Sequence, residues 1–255
     1  MLNDATPWPK LMPLILDTES TNRSLSELRG EVRKGHTLQE ASQRLMDGFR
    51  KGFGESVVLA RTYATVPYGL LPEKDQSFVR SSAEAKGMAS SLTEGTRVLS
   101  LLGTAGVHTE WCDRYRSRGH LGIPLFSQDV VEEIPMVAAL IRQLGGWANW
   151  YHRFAPSQQT TENFAAFTES FFVGAPGKAR DAAGRLLIPA QDFVQENGIK
   201  SVFGVGGEFA ASRIILVCIF FSSESLKQTP PWLLRVPLML ATVTGPIVSE
   251  GRIFR

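Results

Sequence analysis

The sequence predicts an α+β fold: one antiparallel sheet flanked by helices. Three observations lead there. Short runs of β-branched and aromatic residues alternate with helical stripes in the order helix, strands, helix, strands, helix. Connections late in the chain are of hairpin length. Strand–helix–strand units about 30 residues apart, which a doubly wound parallel sheet needs, do not occur.

Residues 1 to about 22 read as an extended arm, because Pro7, Pro9 and Pro13 deny a helix and a polar run from Asp17 to Asn22 follows. Trp8 and the cluster from Leu11 to Leu16 would dock that arm on the body or on a partner. The expected division is an arm and linker over 1–36 and a domain over 37–255. Thr37 and Glu40 form a capping-box pattern, and Leu38, Ala41, Leu45, Phe49 and Phe53 recur at helical spacing until Gly52 and Gly54 stop the helix. Val57, Leu59 and Arg61 alternate with Val58, Ala60 and Thr62, so 56–64 is a strand. Pro72 opens a polar helix to about Lys86. Strands follow at 97–103 and 121–126.

Val130, Ile134, Val137, Ile141 and Leu144 make a strong stripe, in which Pro135 predicts a kink or a fresh helix start. Helix is expected over 161–168, strands over 171–174 and 185–188, and a short helix over 191–197. Strands at 201–205 and 213–221 should pair around a glycine-rich turn. A last helix starts at Pro230-Pro231 and kinks at Pro237.

Composition narrows the function classes. With 43% hydrophobic residues, a chain of 255 can build a core without covalent staples. Its 27 basic and 25 acidic residues nearly cancel, which argues against a nucleic-acid binder working by whole-domain charge. Two cysteines make no disulfide framework and suit a reducing compartment. The longest unbroken apolar run, Ile214 to Phe221, has eight residues where a membrane span needs about 20. No signal-peptide pattern opens the chain. The expectation is a cytoplasmic protein with neither membrane nor nucleic acid as partner.

Two glycine motifs fail as phosphate loops. In Gly204-Val205-Gly206-Gly207 the third glycine of a dinucleotide fingerprint is replaced by Phe209, and a strand follows; a hairpin turn is the expectation. Gly174 to Lys178 has too short a spacing, and Ala179 replaces the magnesium-binding hydroxyl. Cys218 reads as a small hydrophobe in a core strand, and Trp147, Trp150, Tyr151 and His152 as a core or interface patch.

The segment from His108 to His120 concentrates polar chemistry between two predicted strands: two of four histidines, one of two cysteines, three arginines and Trp111. In an extended segment Arg114, Arg116 and Arg118 would share one side and grip an anion, with Trp111 or Tyr115 stacking a planar ligand and His120 adding charge. Alternatively His108, Cys112 and His120 hold a metal or haem. Cys112 could instead be a redox or nucleophilic thiol, with His108 or Arg114 lowering its pKa, though no resolving cysteine is near. A structural reading pairs the arginines with Glu110 and Asp113 and packs Trp111 as a lid.

The stretches Ser100 to Gly103, Trp-x-Asp-Arg-x-x-Ser-Arg-Gly-His-x-Gly-Ile-Pro-Leu from Trp111 to Leu125, Ile188-Pro-Ala-Gln-Asp-Phe-Val and Phe203-Gly-Val-Gly-Gly resemble GAF-like sensory input domains at the front of bacterial signalling proteins such as histidine kinases. The likeness covers roughly 37–245. It implies a GAF/PAS-like sheet flanked by helices, small-molecule or redox sensing, dimerisation through terminal helices, and a signalling partner. That family binds cyclic nucleotides, haem, bilins or other molecules, so no cofactor is identified for this chain. It ends at Arg255 without a kinase or other output domain, so it acts through a partner or is a region of something longer.

The resulting expectation is a non-catalytic, homodimeric sensor of a small anionic or planar ligand, bound by Trp111, Arg114, Arg116, Arg118 and His120. A thiol-dependent redox enzyme on the same scaffold and a bare dimerisation or interaction module are the alternatives.

Overall fold

The computed structural model describes residues 17–116, 120–143, 168–209 and 214–254. Six antiparallel strands form one sheet in the order β3-β2-β1-β6-β5-β4. They are β1 (Val57–Pro67), β2 (Arg97–Gly106), β3 (Gly122–Pro124), β4 (Thr168–Val173), β5 (Ser201–Phe209) and β6 (Ile214–Ser222). The α+β class with an antiparallel sheet, expected from the sequence, is the observed one.

One face of the sheet carries α1 (Thr18–Val32), α2 (Leu38–Phe53) and α7 (Arg235–Ser249). The α2 stripe forms because its apolar residues recur every three to four positions and its ends are capped. Thr37 Oγ1 accepts from the Glu40 amide, and Gly54 at φ 55° ends the helix. The stripe buries Leu45, Phe49 and Phe53 against Phe220 of β6 and Trp232, with Phe49 edge-on to Phe220 at 4.7 Å between ring centres. Phe49 to Ala would cost about 3–5 kcal/mol by the usual cavity arithmetic. Gly103 allows α2 to lie directly on β2: a Cβ there would come within 2.7 Å of the Ser42 and Gln43 backbone.

The other face carries α4 (Gln128–Glu132), α5 (Pro135–Gln143) and α6 (Gln191–Glu196), with a separate core of Leu59, Tyr63, Leu99, Val137, Leu140, Ile219 and Phe221 among others. The stripe over 130–144 is thus two helices, and Pro135 starts the second, where its missing N–H costs nothing. Helix α3 (Glu73–Ala85) packs at the β3 edge, where Gly122 makes room for Val79.

Several expectations need correction. The arm to residue 22 is not extended throughout: α1 starts at Thr18, because Asp17 caps it by accepting from the Ser20 amide, and Leu25, Leu28 and Val32 are buried. Residues 185–188 form no strand; a single bridge, Arg180 to Leu186, is all that pairs there. The glycine run 204–207 is strand, not turn, paired on both sides within β5. Pro237 lies in the first turn of α7, where proline is tolerated, and the interior proline is Pro246. The 161–168 helix, the Trp147–His152 patch and the β5–β6 turn fall largely or wholly outside the described residues.

Residues 231–249 are long and apolar enough, by length and composition alone, to cross a membrane. Here Trp232, Leu233, Val236, Leu240 and Val248 of that stretch are buried in the protein core.

Candidate functional site

Between the second face of the sheet and α5 lies a cavity of about 1020 Å³. Its floor is the sheet itself: Leu59, Arg61 and Tyr63 on β1, Leu99 on β2, and Ile219 and Phe221 on β6. Met136, Val137 and Leu140 of α5 roof it. One side wall is Glu110, Trp111, Arg116 and His120; the other is Ile188, Pro189, Ala190 and Phe193. A mostly apolar concavity with a few convergent polar groups is the usual form of a small-molecule site.

The first side wall is built from two 3-10 turns, Thr109–Cys112 and Arg114–Arg116. Trp111 is laid flat by Gly106, whose Cβ would come within 2.8 Å of the indole. Its carbonyl accepts from the Thr104 hydroxyl at 2.8 Å, and its ring meets Phe193 edge-on at 5.4 Å, tying the two walls together. His108 adds a second tie: its Nε2 lies 3.0 Å from Asn197 Oδ1, just past α6. The segment therefore holds its shape through β2 and α6.

The turns decide which predicted site residues meet. The 114–118 arginines do not alternate along an extended strand. Arg114 is buried and turned away from the cavity: its Nε donates to the Leu101 carbonyl at 2.7 Å, and its fork pairs with Asp75 of α3. It serves structure, as in the structural reading of this segment, although its partner is Asp75 rather than Glu110 or Asp113. Trp111, Arg116 and His120 do line the cavity. Arg116 stays largely in solvent, 3.9 Å from Asp113. Arg118 lies outside the described residues.

His108, Cys112 and His120 are not gathered into a metal site; among the described residues no group of three or more His, Cys, Asp or Glu could hold one. Cys112 is exposed, while Cys218 is buried in the opposite core layer. Burial pushes the Cys218 pKa up to about 12, with the Thr62 hydroxyl opposing weakly. Cys112 Sγ instead lies near the carbonyls of Gly106 and His108, at 3.6 and 3.7 Å.

Sequence reasoning missed Arg61 and Tyr63. Arg61 stands in the middle of a strand otherwise made of apolar and small residues. Its Nε is fully buried without a hydrogen-bond partner, and its Nη1 donates to the Tyr63 hydroxyl at 3.4 Å. The signal was available: one cation inside a strand that is covered on both faces. Ile188, Pro189, Ala190 and Phe193, quoted above only for their resemblance, are also lining residues.

No family profile matches the chain, and no curated protein matches it. Solved structures similar to it include the phycoerythrobilin-bound GAF domain of a cyanobacterial phytochrome, at 12% identity and a TM-score of 0.43, covering 91% of this chain and 97% of that one. The chromophore-binding domain of a Stigmatella aurantiaca bacteriophytochrome is similar at 13% identity and TM-score 0.40, over 94% of this chain and 64% of that one. A protein with bound biliverdin IXa, in a far-red-absorbing dark state, is similar at 12% identity and TM-score 0.40, over 88% and 99%. At such identities and scores, no ligand or residue role follows from the likeness.

Proposed function

We propose that this chain is a non-catalytic, ligand-binding sensory domain whose ligand occupies the cavity between the sheet and α5. The observation that carries this reading is the cavity itself: about 1020 Å³, floored by the central strands and lined mainly by apolar and aromatic side chains. That volume sits at the upper end of the range of about 300–1,000 Å³ for drug-sized ligands. Trp111, Phe193 and Phe221 offer ring edges and faces to a planar molecule, while Trp111, Arg116 and His120 keep the ligand-contact roles assigned to them from the sequence. The proposal includes a cytoplasmic setting in bacterial signal transduction, a signalling partner, and a homodimer formed through the terminal helices.

The test is native mass spectrometry and an absorption spectrum of the purified protein, beside a Met136→Trp variant that fills the roof. A small molecule retained one-to-one by the wild type and lost from Met136→Trp supports the reading. A wild type that retains nothing and takes up no apolar probe would discard it.

A further inference from the structure

The Arg61 side chain is the one strongly charged group on the cavity floor, and its surroundings do not balance it. Among the described residues no ion pair reaches it, its Nε is buried with no acceptor, and its side-chain hydrogen bond goes to the neutral Tyr63 hydroxyl. A guanidinium cannot shed its charge as a lysine or histidine can, so it stays cationic on an apolar floor. A charge held there is costly unless an anion comes to it. By contrast the rim is mixed: Arg116 and His120 line it together with Glu110, and Arg116 is two-thirds exposed beside Asp113. Glu110 also disfavours a second acid at the mouth.

Resting on the reading that this cavity is the ligand site, we infer that it takes an amphipathic organic monoacid, with the acid group inward. The carboxylate seats on the Arg61 fork and the Tyr63 hydroxyl of β1. The apolar body lies across Leu99, Ile219 and Phe221, under Met136 and Leu140. Arg61 is therefore the residue that selects acids over neutral molecules of the same shape. Charge-assisted hydrogen bonds on a water-poor floor are stronger than at the rim, which makes the deep position the better one.

Two fluorescent probes of nearly the same skeleton separate the terms: 1-anilinonaphthalene-8-sulfonate carries an acid group and N-phenyl-1-naphthylamine does not. Both are titrated into the full chain, into Arg61→Met, Arg61→Lys and Met136→Trp. The expected result is that the wild type binds both and Met136→Trp binds neither. Arg61→Met should lose about tenfold or more in affinity for the sulfonate while holding the amine within about twofold. Arg61→Lys, which keeps the charge but loses the fork, should fall between. Because a half-buried cation whose Nε has no acceptor is removed, Arg61→Met should also melt no lower than the wild type.

Unchanged sulfonate affinity in Arg61→Met, with the amine still bound, overturns the Arg61 anchor and leaves the cavity reading intact. Loss of both probes together with a lowered melting temperature makes Arg61 a structural residue and equally overturns it. Failure of the wild type to bind either probe, or binding unaffected by Met136→Trp, removes the cavity reading and this inference with it.

Discussion

Arg114 and Asp75 form a buried ion pair that fastens the cavity's first wall to α3. Both side chains are almost wholly withdrawn from solvent, and the Arg114 Nε also donates to the Leu101 carbonyl, so the fork is anchored at three points. Tyr115 and Phe254 flank the guanidinium at 4.8 and 5.6 Å from their ring centres. Burial pushes the Asp75 carboxyl up, and the Arg114 fork opposes that shift. Removing one partner leaves the other buried and uncompensated. Arg114→Met or Asp75→Asn should each cost about 3–5 kcal/mol of unfolding free energy, and the double change Asp75→Leu with Arg114→Met much less than their sum. Urea denaturation of the four proteins measures this; strictly additive losses would show that the pair is not coupled.

Gly103 sets the distance between α2 and the sheet. Its missing side chain faces backbone, not a flexible chain end, at 2.7 Å. Gly103→Val should therefore force the helix off β2 and destabilise the domain by roughly 1–3 kcal/mol or more. A thermal melt indistinguishable from the wild type would contradict that packing.

Asp47 gives the domain a pH-dependent term. Desolvation raises its carboxyl above the ordinary 3.8, against the lowering effects of the Gln43 hydrogen bond, Lys51 and Arg44. A folded-state value above the unfolded one means the folded chain holds the proton more tightly. Its stabilising contribution is complete below pH 3.8 and is lost as pH rises through the higher folded value. Asp47→Asn keeps an oxygen for Gln43 Nε2 and should match or exceed the wild type at pH 7. That advantage should vanish below pH 3.8, as melting curves across the range would reveal.

The two thiols should differ in reactivity. Cys112 is exposed, whereas Cys218 is buried with its pKa pushed up to about 12. A thiol reagent at pH 8 should label one cysteine of the native protein and both in denaturant. Two fast-reacting native thiols would contradict the burial of Cys218 and favour the redox alternative.

The proposed dimer meets its simplest check on α7, where Leu238 is 55% exposed and Leu234, just before the helix, 36%. Leu238→Glu should change monomer stability by less than about 0.5 kcal/mol. Light scattering should show a smaller particle for Leu238→Glu than for the wild type if the terminal helices associate; equal masses would exclude this helix face from any dimer.

What the sequence determined by itself is the local layer. Thr37 and Glu40 start α2, Pro135 starts α5, alternation makes β1, and short apolar runs make β2 and β6, because capping, proline geometry and side-chain pattern act over a few residues. The antiparallel class also followed, since connection lengths limit how strands can pair. Tertiary structure decided what those rules cannot reach. Asp17 could begin α1 only as part of a helix with Leu25, Leu28 and Val32 to bury. Gly204 to Gly207 became strand because β4 and β6 pair with it on either side. Above all, the role of each arginine was a matter of position in space. Arg114, in the densest polar motif, found Asp75 from 39 residues away and became structural. Arg61, a lone cation in an apolar strand, has no counter-charge among the described residues on the cavity floor, because side chains from distant segments, not chain neighbours, supply or withhold the partner.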